Sequence, residues 1–172
     1  MDADGIRALQ APLKNKYKAD AAAALVTLTA QGDLSGEGVA CNVSTSRALI
    51  EAGLHPATGG TGMQACSGDM LLEALVACAG VTLKAVATAI DFHLDGGRVR
   101  AEGDLDFRGT LGIAKEAPVG FADIRLFFEL DTDEPQERIE SLTRLAERYC
   151  VVLQTLVRPP KVALSVAARA ES

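Results

Sequence analysis

The stretch "ALVACAGVTLKAVA", residues 74–87, decides the fold. It is almost wholly apolar, contains no proline, and carries Cys78 in its middle. Across 70–90 the only charges are Glu73 and Lys84, eleven residues apart. At ~100° per residue they fall within about 20° of each other, with Ala77 and Gly80 on the same strip. A helix that is apolar round the rest of its circumference is a central, buried one. Cys78 stands roughly 140° from Glu73, in line with Leu71, Leu75 and Thr82, so its thiol is expected inside. Ser67 or Asp69 is placed to cap the start.

Upstream, "EAGLHPATGGTGMQACSGD" (51–69) holds five glycines and a proline and reads as a long loop. Before it, Gly32, Asp33 and "SGEG" (35–38) are turn signals between a strand over 17–31 and a second strand over 39–45. Residues 1–16 read as a short arm, leaving 17–172 as a single domain. Downstream, "DFHLDGGRVRAEGDLDFRG" (91–109) reads as two strands joined at Asp95-Gly96-Gly97, and "FADIRLFFELD" (121–131) as a third. A helix is expected over 132–156. Thr132 or Asp133 would cap it, Pro135 would sit in its first turn, and Leu142, Leu145, Tyr149, Val152 and Leu156 would form its apolar stripe. Cys150 lies beside that stripe, in line with Ala146 and Leu153. "PPKVALSVAA" (159–168) stops the helix and finishes as a strand. Strands, a buried helix, strands, a helix and a strand make an α+β protein.

The 172-residue chain has 48 % apolar residues and a formal net charge of −6, an ordinary globular composition that disfavours a nucleic-acid partner. Glu73 and Lys84 interrupt the longest apolar run, so no membrane span is expected. "MDADGIRALQ" reads as no signal peptide, which points to the reducing cytoplasm. There, the four cysteines (Cys41, Cys66, Cys78 and Cys150) are not expected to form a static disulfide framework. The two histidines, His55 and His93, lie at no metal-ligand spacing, and both are expected at the surface. No cofactor or metal is expected. What remains for cysteine is redox or nucleophilic chemistry, or plain burial. Cys41 reads as a core residue. Cys66, just before the helix, reads as a loop cysteine or as a thiol activated by the helix N-terminus. "GGTG" (59–62) lacks the Lys-Ser pair of a phosphate loop.

"SGDMLLEALVACAGVTL" (67–83) resembles the central-helix motif of the OsmC/Ohr family, the osmotically induced and organic hydroperoxide resistance proteins. "AERYCVVLQTL" (146–156) is similar to that family's second-cysteine motif, and the order of elements agrees from about 17 to 168. The resemblance implies an OsmC-like fold, with antiparallel sheets around a long central helix, and an intertwined homodimer with sites at the interface. It also implies thiol peroxidase chemistry. Cys78 would be the peroxidatic thiolate that attacks an organic hydroperoxide, and Cys150 the resolving thiol that closes a disulfide. An external dithiol would then reset the pair. Arg47, in "NVSTSRAL", looks like the family's arginine, which holds the thiolate and is itself held by an acid.

Two departures stand out. Family peroxidases carry a glutamate ten residues before the first cysteine; this chain has Gly68 there and Asp69 next to it, which serves either as that acid or as a helix cap. Proline commonly follows the second cysteine, and here Val151 does. These departures leave a second reading open: a binding protein on the same scaffold, holding an apolar ligand with inert cysteines.

Overall fold

The computed structural model describes residues 31–33, 40–44, 49–112 and 114–167, together with Asp4, Gly5, Ala8, Ala11, Asn15 and Ala19, all six of which are helical. The described elements are β1 (Gln31–Asp33), β2 (Ala40–Ser44), β3 (Leu49–Gly53), β4 (Ala65–Cys66), α1 (Ser67–Ala89), β5 (Gly96–Leu105), α2 (Phe107–Thr110), β6 (Phe121–Asp131), α3 (Gln136–Tyr149) and α4 (Val151–Val157). This is the expected α+β arrangement. Most of the strand expected over 17–31 lies outside the described residues; at its ends, Ala19 is helical and Gln31 opens β1.

Strands β1 to β4 form one sheet in chain order, antiparallel up to β3, with β4 parallel to β3. The expected loop over 51–69 is therefore partly strand: β3 takes its start, and β4 lies beside β3 immediately before the helix. Strands β5 and β6 make a long antiparallel ribbon that pairs Gly96 with Asp131 and Leu105 with Phe121. Alternation puts Val99, Ala101, Ile124, Leu126 and Phe128 on its inner face, against α1.

Helix α1 forms as its composition requires, with no proline over 23 residues and Ala and Leu predominant. Its cap is Cys66 rather than Ser67 or Asp69, and it has no side-chain capping bond. Its buried stripe is Leu75, Ala79, Leu83 and Ala87, at i, i+4 spacing. The observed stripe is rotated from the expected one. Gly80 faces Val99 of β5, Leu71 is partly exposed, and Cys78 is half-buried at the stripe's edge. By length and composition α1 could cross a membrane; here its stripe is covered by α3 and the ribbon.

The partner stripe on α3 is Leu142, Ala146 and Cys150. One core cluster joins Leu83, Ala87 and Phe92 to Leu142 and Ala146. The other joins Leu75 and Ala79 to Cys150 and the ribbon. Lower numbers on α1 thus meet higher numbers on α3, so the two helices run antiparallel. Burying Leu75 or Leu142 completely contributes roughly 1.5–3 kcal/mol each.

Three expectations are corrected by the structure. First, no hairpin forms at Asp95-Gly96-Gly97. Residues 91–95 instead carry the chain out of α1, with Asp91 at φ 50°, and β5 starts at Gly96. Gly97, at φ 144°, is needed because a Cβ there would collide with the Glu129 carbonyl of β6. Second, the helix expected over 132–156 begins at Gln136 with Pro135 at the cap, and it breaks at Cys150, whose ψ of 106° is extended. Tyr149 falls out of the apolar stripe and is exposed. Third, residues 159–167 form no strand within the chain, and Val162, Leu164 and Val166 are each close to nine-tenths exposed.

Candidate active site

The antiparallel packing of α1 on α3 brings Cys78 and Cys150 together. Cys150 is buried in the break between α3 and α4, and Cys78 packs against it from α1. Both are free thiols, as is Cys66. The break matters chemically because it turns the first amides of α4 toward α1.

Burial is the largest single influence on Cys78 and raises its pKa. It is outweighed by hydrogen bonds to the sulfur from the Val152 amide, the Cys150 thiol, the Thr82 hydroxyl and the Val151 amide. The net result holds Cys78 below the ordinary thiol range. Cys150 moves the other way. Burial pushes it up, and the negative charge of Cys78, which its S–H solvates, pushes it further; the Leu153 and Val152 amides offset only part of this. The two thiols are therefore pushed apart, Cys78 toward the thiolate and Cys150 toward the neutral thiol that donates to it. A thiolate is the form that attacks electrophiles, and a neighbouring thiol is what a sulfenic acid condenses with.

Of the expected site residues, the structure brings these two cysteines together. Arg47 lies outside the described residues. Asp69 sits exposed in the first turn of α1. Nine residues before Cys78 is about 13–14 Å along the helix and half a turn round, so within one chain Asp69 does not reach the thiol. Thr82 and the Val151 and Val152 amides, which hydrogen-bond the Cys78 sulfur, are groups that reading the sequence left unassigned. Thr82 was legible as the residue one helical turn after Cys78. The Val151 amide was legible in the missing proline, since proline at 151 has no N–H to give.

An open apolar groove of about 570 Å³ has Leu71, Leu75, Phe121, Ile124, Leu153 and Leu156 on its walls; neither cysteine lines it, but Leu75, Ile124, Leu153 and Leu156 also pack in the cluster around Cys150. A neighbouring cavity of about 370 Å³, which shares Leu71, Gly120 and Phe121 with the groove, lies at the N-terminal end of α1 and is bordered by His55, Cys66, Leu105 and Phe107. There His55 is half-buried, contrary to expectation. Its Nδ1 accepts the Ala57 amide at 3.0 Å, and its ring stacks on Phe107 at 4.8 Å. His93 is exposed, as expected, between Asp95 and Asp133. Cys41 lies on β2.

A family model described as OsmC-like protein matches residues 60–165. Solved structures share the fold at low identity. An OsmC-like protein from Mycoplasma pneumoniae is 17% identical, with a TM-score of 0.64 over 78% of this chain and 89% of that one. An organic hydroperoxide resistance protein OsmC from Legionella pneumophila is 18% identical, with a TM-score of 0.60 over 78% and 91%. An organic hydroperoxide resistance protein from Elizabethkingia anophelis is 16% identical, with a TM-score of 0.60 over 78% and 90%. No curated protein matches the chain.

Proposed function

The chain belongs to the OsmC-like protein family, and we propose that it works there as a thiol peroxidase that reduces organic hydroperoxides. The observation that carries this reading is the differentiated pair, Cys78 packed on Cys150 with its own pKa lowered and that of Cys150 raised. The Cys78 sulfur attacks the terminal oxygen of ROOH. The O–O bond breaks, Cys78 becomes a sulfenic acid, and RO⁻ leaves and takes a proton from water as ROH. Cys150 then gives up its proton and attacks the Cys78 sulfur; an S–S bond forms and water departs. An external dithiol reduces the disulfide and is itself oxidised.

The apolar groove, whose walls share Leu75, Leu153 and Leu156 with the cluster around Cys150, supports an organic rather than a bare peroxide, because it offers a place for the R group. Arg47 is the proposed guanidinium that binds the peroxide oxygens, and Asp69 is the acid proposed to hold Arg47 rather than to touch sulfur. The working unit we propose is a homodimer in the cytoplasm. In its support, α1 exposes Ala74, Ala77 and Val81 on one side, and Val162, Leu164 and Val166 form an apolar edge that the single chain leaves uncovered.

Free thiols counted before and after one equivalent of cumene hydroperoxide test the reading. The expected result is loss of two thiols within minutes, dependent on both Cys78 and Cys150. Retention of every thiol would refute the peroxidase and favour the other reading, in which the same groove holds an apolar ligand without turnover.

A further inference from the structure

The thiol pair is assembled from two helices, so something must fix how far one slides along the other. Apolar stripes of small residues set that poorly, because Ala and Leu at i, i+4 repeat each turn. At the far end of the α1–α3 contact the structure holds a directional device. The Arg138 guanidinium, on the first turn of α3, donates to the Ile90 carbonyl at 3.0 Å and the Asp91 carbonyl at 2.9 Å, just past the C-terminus of α1. Its other arm pairs with Glu134 at 3.1 Å. Glu134 in turn accepts the His93 amide at 2.9 Å, and Thr132 donates to the His93 carbonyl at 2.6 Å. The guanidinium also lies over the buried Phe92 ring, 5.7 Å from its centroid. The exit of α1 and the entry of α3 are thus tied by several bonds centred on one side chain.

The spacing is telling. Ile90 is twelve residues after Cys78, and Arg138 is twelve residues before Cys150. In antiparallel helices those are equal arms of about 18 Å each. Fixing Ile90 beside Arg138 sets Cys78 level with Cys150.

Resting on the reading of these cysteines as a reacting pair, we propose that Arg138 is a positioning residue for it. The guanidinium clamps the end of α1 to the start of α3, and so sets the register that places one sulfur opposite the other. It touches neither sulfur nor substrate. Losing it lets α3 slip by a fraction of a turn, and proximity is steeply sensitive to such a slip.

The test uses the full-length protein equilibrated with reduced and oxidised glutathione. One oxidised glutathione takes two electrons from the dithiol, the Cys78–Cys150 bond forms, and two reduced glutathiones leave. The equilibrium constant gives the effective concentration of one thiol at the other, with no hydroperoxide needed. Circular dichroism confirms that each variant is folded at the assay temperature. Arg138→Met, which keeps the stem over Phe92 but loses the donors, is expected to lower the effective concentration about tenfold or more. Arg138→Lys keeps one donor and the charge, so it should recover most of the loss; if Arg138→Met does not fold, Arg138→Gln, which loses the charge and is too short to reach both carbonyls, takes its place with the same expected fall. Arg125→Met, which removes a comparably exposed arginine from the ribbon's outer face, should leave the value unchanged.

An effective concentration within about twofold of wild type in Arg138→Met, or in Arg138→Gln where it stands in, would overturn the inference. An equal fall in Arg125→Met would overturn it too, since that would mark a general loss of stability. A wild type that forms no such disulfide would remove the two-cysteine reading together with this inference. A wild type that forms the disulfide but does not consume cumene hydroperoxide would refute the peroxidase reading alone and leave the clamp standing.

Discussion

The two faces of the β5–β6 ribbon differ in a way that locates the chemistry. The outer face carries the conspicuous charges. Arg125 donates to Asp104 at 2.5 and 2.9 Å and to Asp123 at 2.6 Å, Arg100 pairs with Glu102, and Arg100 also lies over Phe127. These pairs raise Arg125 above its ordinary range and lower Asp104, yet every partner is open to water, where screening leaves ion pairs little net effect. The inner face carries no ion pair of this kind. It presents Val99, Ala101, Ile124 and Leu126 to two sulfurs, three amide N–H groups and one hydroxyl. In that setting each hydrogen bond to a charged sulfur is worth more than an exposed ion pair. The proposed function rests on the desolvated polar atoms rather than on the visible charges.

The largest effect that would sharpen this contrast comes from the sulfurs themselves. Cys78→Ser should abolish hydroperoxide reduction, whereas Cys150→Ser should allow one turnover and then stall with a sulfenic acid on Cys78. A dimedone adduct detected by mass spectrometry distinguishes the two. Next comes packing. Leu142→Ala empties a fully buried site between α1 and α3 and should cost about 2–5 kcal/mol in urea unfolding.

Smaller, and more diagnostic, is Val151→Pro. Proline suits the first residue of a helix, so α4 should survive, but the amide that donates to Cys78 is gone. Losing one hydrogen bond to a charged group is worth about 1.5–3 kcal/mol, so alkylation of Cys78 by iodoacetamide at neutral pH should slow about tenfold or more. Thr82→Val removes the hydroxyl at nearly constant volume and should act in the same direction, at least as strongly. The same assay carries a pH signature. In the wild type, Cys78 should gain reactivity with a midpoint below the ordinary thiol value and Cys150 with one above it. Because the folded-state pKa of Cys78 is depressed, its thiolate stabilises the fold fully above the unfolded-state pKa, and that contribution is lost as pH falls through the folded value. Cys150 contributes in the opposite sense. The smallest effect belongs to the outer face: Arg125→Met should leave both alkylation midpoints where they are.

Much of this was legible in the sequence because local signals agreed. Fourteen residues of almost unbroken apolar helix around Cys78 (74–87), and a second helix leading to Cys150, need little tertiary information to place. What the sequence hid depended on contacts between elements. Asp95-Gly96-Gly97 has hairpin chemistry, but Arg138, Glu134 and Thr132 hold the backbone of residues 90–93, and Gly97 is committed to the close approach of β6. Nothing in "RYCVVLQ" announces a break at Cys150; neither glycine nor proline is there. The break is stabilised by what it achieves in three dimensions, the burial of Cys150 and the turning of two amides onto Cys78. The alternating "VALSV" at 162–166 reads as a strand, and among the described residues it pairs with none.

Peptide mapping of wild-type protein quenched seconds after one equivalent of cumene hydroperoxide puts the inner-face chemistry to its most direct test. A single cross-linked species joining the Cys78 and Cys150 peptides, with Cys66 still free, is the expected product. Unmodified Cys78 and Cys150 in the presence of unconsumed hydroperoxide would contradict it.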